Sequence, residues 1–179
     1  AGGAFHALLG NHELMNARID LRYVTDGGFA DFMDTVEYET GDSLKVWDRS
    51  SGTFRTAILA EFEPHQRDRV AAFMPGGPYA NLLAKRQVIL QLGENVFVHG
   101  GVLPEHVAYG IDEINNSAQA WLRGEADLPS VLSGSDSPQW TRLYSDDPDS
   151  SACSVLEEAL NALEAKRIVM GHTIQESGI

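Results

Sequence analysis

Three short segments carry side chains whose types and positions could do chemistry together: Gly10-Asn11-His12-Glu13, His99-Gly100-Gly101 and Gly171-His172-Thr173. Each follows an apolar run that reads as a buried strand, namely Phe5 to Leu9, Val96 to Val98 and Ile168 to Met170. Ligands of open α/β folds collect beyond the carboxyl ends of strands, so these three loops could bring one carboxamide oxygen and two imidazoles to a single cavity. That donor set suits a borderline metal such as Mn, Fe or Zn. A zinc-protease helix is excluded, because the second histidine it needs four residues after His12 is replaced by Asn16.

The elements that must hold these loops alternate between helix and strand. Asn11 and His12 are expected on a loop after a core strand, Phe5 to Leu9. Phe29, Phe32, Met33 and Val36 have helical spacing after Gly27-Gly28. Pro64 opens a helix that Pro75-Gly76-Gly77 closes, and Pro78 opens a shorter one. Strands Gln87 to Leu92 and Asn95 to His99, joined by Gly93-Glu94, read as a hairpin. A helix follows from Ile111 to about Leu122. Residues 124–151 are rich in Ser, Asp, Pro and Gly yet contain Trp140, Arg142 and Tyr144, which marks a loop with a task. Ser154 and Glu157 have capping-box spacing at the start of a helix running to Lys166. The fold class is α/β, in a single domain spanning 1–179.

Composition narrows the partners. The chain has 179 residues, 13 basic and 26 acidic side chains, and a formal net charge of -13. Without a Lys/Arg stripe there is no counterion-release term for nucleic acid or anionic membrane. No stretch approaches the ~20 apolar residues of a membrane-spanning helix. The single cysteine, Cys153, permits no intrachain disulfide and is expected as a small apolar residue just before the last helix. Compartment and oligomeric state leave no mark on the sequence.

The stretches Leu9-Gly-Asn-His-Glu-Leu-Met-Asn16, Leu21-Arg-Tyr-Val24, Gly27-Gly-Phe-Ala-Asp-Phe32, Phe97-Val-His-Gly-Gly-Val-Leu-Pro-Glu-His-Val107 and Val169-Met-Gly-His-Thr-Ile-Gln175 resemble the phosphoprotein phosphatases of the calcineurin-like metallophosphoesterase superfamily, and their Shewanella-like branch in particular. The resemblance implies the C-terminal portion of a calcineurin-like fold, a central β-sandwich flanked by helices with its metal site on strand-end loops. It implies hydrolysis of phosphate monoesters of phosphoproteins or phosphopeptides by a metal-bridging hydroxide at a two-metal centre. Asn11, His99 and His172 would be ligands of the second metal, and His12 the general acid. Arg142 would bind the phosphate, and Tyr144 would line the substrate cleft, with core packing as its alternative. A surface ion pair with Asp146 or Asp147 is the alternative for Arg142.

Two further family motifs, Gly-Asp-x-His-Gly and Gly-Asp-x-Val-Asp-Arg-Gly, do not occur in these residues. The chain therefore reads as a fragment, incomplete at both ends. The isolated fragment is expected to be inactive and poorly soluble, with an exposed apolar edge at Phe5 to Leu9. A phosphoesterase for small esters or dinucleoside polyphosphates, with Trp140 and Tyr144 as base-stacking candidates, is one alternative function. An inactive single-metal binding module is the other. Glu13 and Asn16 are expected to tie the histidine loop to backbone groups, Arg22 to form a structural ion pair, and His6, His65 and His106 to carry no chemistry.

Overall fold

Local signals start most helices where they are found in the computed structural model, which describes residues 2–33, 46–48, 53–55 and 58–176. The chain divides into a helical unit, His12–Lys85 with Ala120–Asp127, and a sheet unit, Ala1–Asn11, Arg86–Gln119 and Leu128–Ile179.

Helix α1 (Asn11–Ala17) leads into the helical unit. Helix α2 (Asp26–Ala30) is capped by Thr25, whose hydroxyl accepts from Gly28 N at 3.2 Å. A short antiparallel ladder joins β1 (Val46–Asp48) to β2 (Thr53–Arg55). Helix α3 (Pro64–Phe73) begins on its proline, which needs no hydrogen bond at the first helical position. Helix α4 (Pro78–Leu83) starts in the same way. Leu59, Val70, Ala71 and Ala72 form the buried core here, with Ile19, Leu21, Phe32, Phe62 and Phe73 packed on it.

In the sheet unit, β3 (Ile89–Leu92) and β4 (Asn95–Val98) form the expected hairpin, with Gly93 in the left-handed region at φ 58°. Helices α5 (Pro104–Tyr109), α6 (Ile111–Leu122) and α7 (Ser150–Ala162) and strand β5 (Arg167–Val169) complete it, with α7 packed on α5. The chain passes into the helical unit within α6. Strand order is β3-β4-β5, with β5 parallel to β4. Asn115 of α6 completes the outer edge: its Oδ1 accepts from Val88 N at 2.8 Å and Ile89 N at 3.1 Å, and its Nδ2 donates to Ile89 O at 2.9 Å. A side chain thus stands where a neighbouring strand would bond.

Several expectations need correction. Phe5 to Leu9 is not a strand; a lone parallel bridge joins Leu8 to Gln87, Leu9 is buried and Phe5 is 94% exposed. A strand needs a partner along its length, and here pairing stops at one bridge. His6 accordingly lies in irregular, exposed chain. Asn11 and His12 sit in the first turn of α1, not on a loop. The glycines at 27 and 28 lie inside α2, which ends at Ala30; Met33 is 57% exposed, and Val36 lies outside the described residues. Helix α7 starts before Ser154, because Asp149 caps it by accepting from Ser151 N and Ala152 N at 2.8 and 3.0 Å. Cys153 is therefore in the helix, and exposed.

Candidate active site

Register explains how two of the histidines meet. Phe97 pairs with Val169 across the parallel ladder, so continuing it by two residues sets His99 opposite Gly171. The bond from Gly171 N to His99 O, 2.9 Å, makes that extension explicit. On the far side Leu9 N donates to Gln87 O at 2.9 Å, fixing the chain just before Asn11. His99 Nε2 then lies 2.7 Å from Asn11 Oδ1 and 3.1 Å from His172 Nδ1. Asn11 is 5% exposed and the two imidazoles are half-buried.

The spacings of His99 Nε2 from Asn11 Oδ1 and from His172 Nδ1 suit neighbouring donors on one divalent ion. Atoms bound to one ion at about 2.0–2.2 Å stand roughly 3 Å apart when they are neighbours in its coordination shell. Admitting an ion would require the observed spacings to open by only a few tenths of an ångström. Among the described residues no group of three His, Cys, Asp or Glu side chains could hold a metal, and the candidate donors brought together here are an amide and two imidazoles.

The His172 turn is strained. Thr173 N donates to Gly171 O at 2.7 Å, closing a three-residue turn around His172, whose φ is 64°. A side chain in that region costs on the order of 1–2 kcal/mol, and such strain gathers at functional sites. Surrounding contacts hold the turn: Trp140 meets the His172 ring edge-on at 5.5 Å, Ser145 Oγ and Thr173 Oγ1 are 2.7 Å apart, and Gln175 Nε2 donates to Ser145 O at 3.0 Å. The sequence gives no sign of Ser145 or of its pairing with Thr173. Their pairing spans distant loops, and no local pattern announces it.

The glycines after His99 serve packing. A Cβ on Gly100 would stand 2.8 Å from Pro138 O and 2.9 Å from Thr141 O, and one on Gly101 would stand 2.9 Å from Thr141 Cγ2. Both glycine N–H groups donate to Pro138 O, at 2.9 and 3.1 Å. Residues 138–144 thus dock on the His99 loop through bare backbone. Gln139 in that segment is fully buried, and its amide nitrogen and oxygen find no protein partner among the described residues. Buried polar atoms of this kind are ordinarily satisfied by ordered water or ligand.

Arg142 is exposed and makes no ion pair among the described residues, with Asp146, Asp147 or any other carboxylate. Tyr144 is half-buried against Gly101 and donates its hydroxyl to Val102 O at 3.0 Å. Burial first, then Glu105 and Glu158, pushes its phenol up to about 12. His106 is buried, accepting from Leu103 N at its Nδ1 (3.0 Å), and desolvation pulls its imidazole down to about 4 despite Asp136. It is a structural residue of α5.

In the helical unit, His12 is exposed at a cleft of about 280 Å³ that Asn16, Asp20, Tyr23, Arg69 and Phe73 also line. The Tyr23 ring lies 5.2 Å from the His12 ring at an interplanar angle of 32°. Asn16 Nδ2 donates to His12 O at 2.8 Å, the backbone tie expected of it. Arg22 forms its expected ion pair with Asp20, at 2.6 Å. His65 is exposed and meets Phe29 edge-on at 5.4 Å. Arg69 escaped the sequence reading. Nothing in its local pattern distinguishes it from another polar residue of α3.

No protein-family model matches the chain. It is 35% identical to Shewanella-like protein phosphatase 2 of Arabidopsis thaliana, covering 100% of this chain and 50% of that protein. It is 30% identical to an uncharacterised protein of Acanthamoeba polyphaga mimivirus, covering 97% of this chain and 71% of that one. The crystal structure of a cold-active protein-tyrosine phosphatase from a psychrophilic Shewanella species matches at TM-score 0.62 and 23% identity, over 98% of this chain and 46% of that chain. The α/β fold is therefore the fold of about half of that enzyme. The chain spans about half the length of the Arabidopsis protein and of that enzyme. The chain belongs to the Shewanella-like protein phosphatase family.

Proposed function

We propose that the protein carrying these residues is a metal-dependent phosphoprotein phosphatase that hydrolyses phosphate monoesters. The observation that carries this reading is that His99 Nε2 lies 2.7 Å from Asn11 Oδ1 and 3.1 Å from His172 Nδ1, in a chain of this family. These residues would hold one divalent ion, Mn, Fe or Zn, of a two-metal centre. When bound, such an ion supplies Lewis acidity, easing deprotonation of water near neutral pH and neutralising phosphate charge. His12, next in sequence to Asn11, would protonate the leaving oxygen. Arg142, whose guanidinium is spent on no carboxylate among the described residues, would take two phosphate oxygens. The dinucleotide alternative gains no support, since the Trp140 ring abuts His172 and the Tyr144 ring covers Gly101.

The chain by itself would be inactive, because the two motifs that supply the other metal and its bridging carboxylate do not occur in it. The test is manganese-dependent hydrolysis of p-nitrophenyl phosphate and of tyrosine- and serine-phosphorylated peptides. The full natural protein, its His12→Asn variant and the 179-residue chain would be compared. The reading expects turnover by the natural protein alone, with His12→Asn cutting turnover of the phosphopeptides about 100-fold or more. Turnover by the 179 residues alone would contradict the inactivity, and metal-independent turnover would contradict the reading itself.

A further inference from the structure

Arg69 spends its guanidinium in an unusual way for a half-buried cation. Its Nε donates to Asn16 Oδ1 at 2.8 Å and its Nη1 to Gly28 O at 2.7 Å, both neutral acceptors. The cation itself rests on two ring faces, 4.7 Å from the centre of Phe32 and 4.9 Å from that of Phe73. Burial lowers its pKa, with Asp31 acting the other way. Among the described residues no carboxylate forms an ion pair with it. Among the described residues, then, the rigid fork of donors and the two rings hold the guanidinium, not an ion pair.

What the fork fixes is the histidine turn. Asn16 is 8% exposed, and its amide is used at both ends: the oxygen takes Arg69 and the nitrogen donates to the His12 carbonyl. The same guanidinium pins Gly28 in α2, and Arg69, His12 and Tyr23 all line one cleft. We propose that Arg69 is a positioning residue for His12, acting through Asn16 to hold the first turn of α1 so that the imidazole stays at the mouth of that cleft. This rests on the reading of His12 as the general acid. Losing the fork frees the Asn16 amide to rotate, and the first turn of α1 loses its external tie.

The test uses the full natural protein and two esters, p-nitrophenyl phosphate, whose leaving group departs without a proton, and phenyl phosphate, whose leaving group needs one. General-acid catalysis contributes on the order of 100-fold, so His12→Asn should slow the phenyl ester by about that factor more than the nitrophenyl ester. Arg69→Met and Asn16→Ala should each slow the phenyl ester about 10-fold more than the nitrophenyl ester, chiefly in kcat, and add little to His12→Asn. Arg69→Lys, which keeps the charge but not the fork, should behave like Arg69→Met. If Arg69→Met fails to fold, Asn16→Ala alone decides. If His12→Asn discriminates between the esters and Arg69→Met and Asn16→Ala do not, the positioning role is overturned while the general-acid role stands. If His12→Asn slows both esters equally, the general-acid reading falls and takes this proposal with it. Full recovery by Arg69→Lys would also overturn the role assigned to the fork.

Discussion

The two units place their polar residues by different means. In the sheet unit, His99 and His172 come together because two parallel strands share a register, and the backbone bond from Gly171 to His99 carries that register to the loops. In the helical unit, His12 is held by side chains, through Asn16 and then Arg69 from a helix far along the chain. Backbone positioning leaves a mark in the sequence, an apolar run followed by a polar residue. Side-chain positioning over long separations leaves none.

Adding one methyl group should break the backbone-positioned region most severely. Gly100→Ala forces a Cβ against the Pro138 and Thr141 carbonyls, which are backbone and cannot swing aside. A loss of about 3 kcal/mol is expected in denaturant unfolding, together with weaker metal binding as the 138–144 segment lifts off. By comparison, Asn16→Ala in the helical unit should cost about 1–2 kcal/mol, the scale of one buried hydrogen-bond network. Equal losses would erase the distinction between the two regions.

Acid offers a smaller perturbation confined to the sheet unit. The His106 imidazole titrates near 4 when folded, below its ordinary 6.5. As pH falls the unfolded chain takes up the proton first. Stability from this group is therefore complete above about pH 6.5 and is lost progressively towards pH 4, by on the order of 2 kcal/mol. Unfolding free energies measured across that range should show the slope, and His106→Gln should flatten it.

The smallest effect sharpens the comparison from within the sheet unit. Gln139 is buried with two amide atoms that no described protein group satisfies, so Gln139→Met should leave stability unchanged or raise it by about 1 kcal/mol. A melting temperature lowered by several degrees would mean that the amide has a bound water or ligand as partner.

Legibility in the sequence follows the same division. Val96 to Val98 and Ile168 to Met170 announced β4 and β5 by their branched apolar residues, and so placed His99 and His172 at strand ends. Pro64, Pro78 and the Ile111 periodicity gave α3, α4 and α6 nearly to the residue. Phe5 to Leu9 misled because apolar content measures burial preference, whereas a strand also needs a neighbour to pair with. Pro104 at the first position of α5 is a sequence signal for that helix, too short to show an apolar period. The start of α7 was misplaced because Asp149, Ser150, Ser151 and Ser154 are all plausible caps, and only geometry shows Asp149 accepting the two N–H groups. The need for glycine after His99 comes from distant residues, the Pro138 and Thr141 carbonyls at Gly100 and the Thr141 and Tyr144 side chains at Gly101, which no local pattern shows.

The central claim is that Asn11, His99 and His172 form one metal site, and manganese titration of the full natural protein by calorimetry tests it most directly. The account predicts that His99→Ala removes one bound ion or weakens its affinity by about 100-fold or more, with the melting temperature no longer rising on metal addition. Unchanged stoichiometry, affinity and thermal shift in His99→Ala would contradict it.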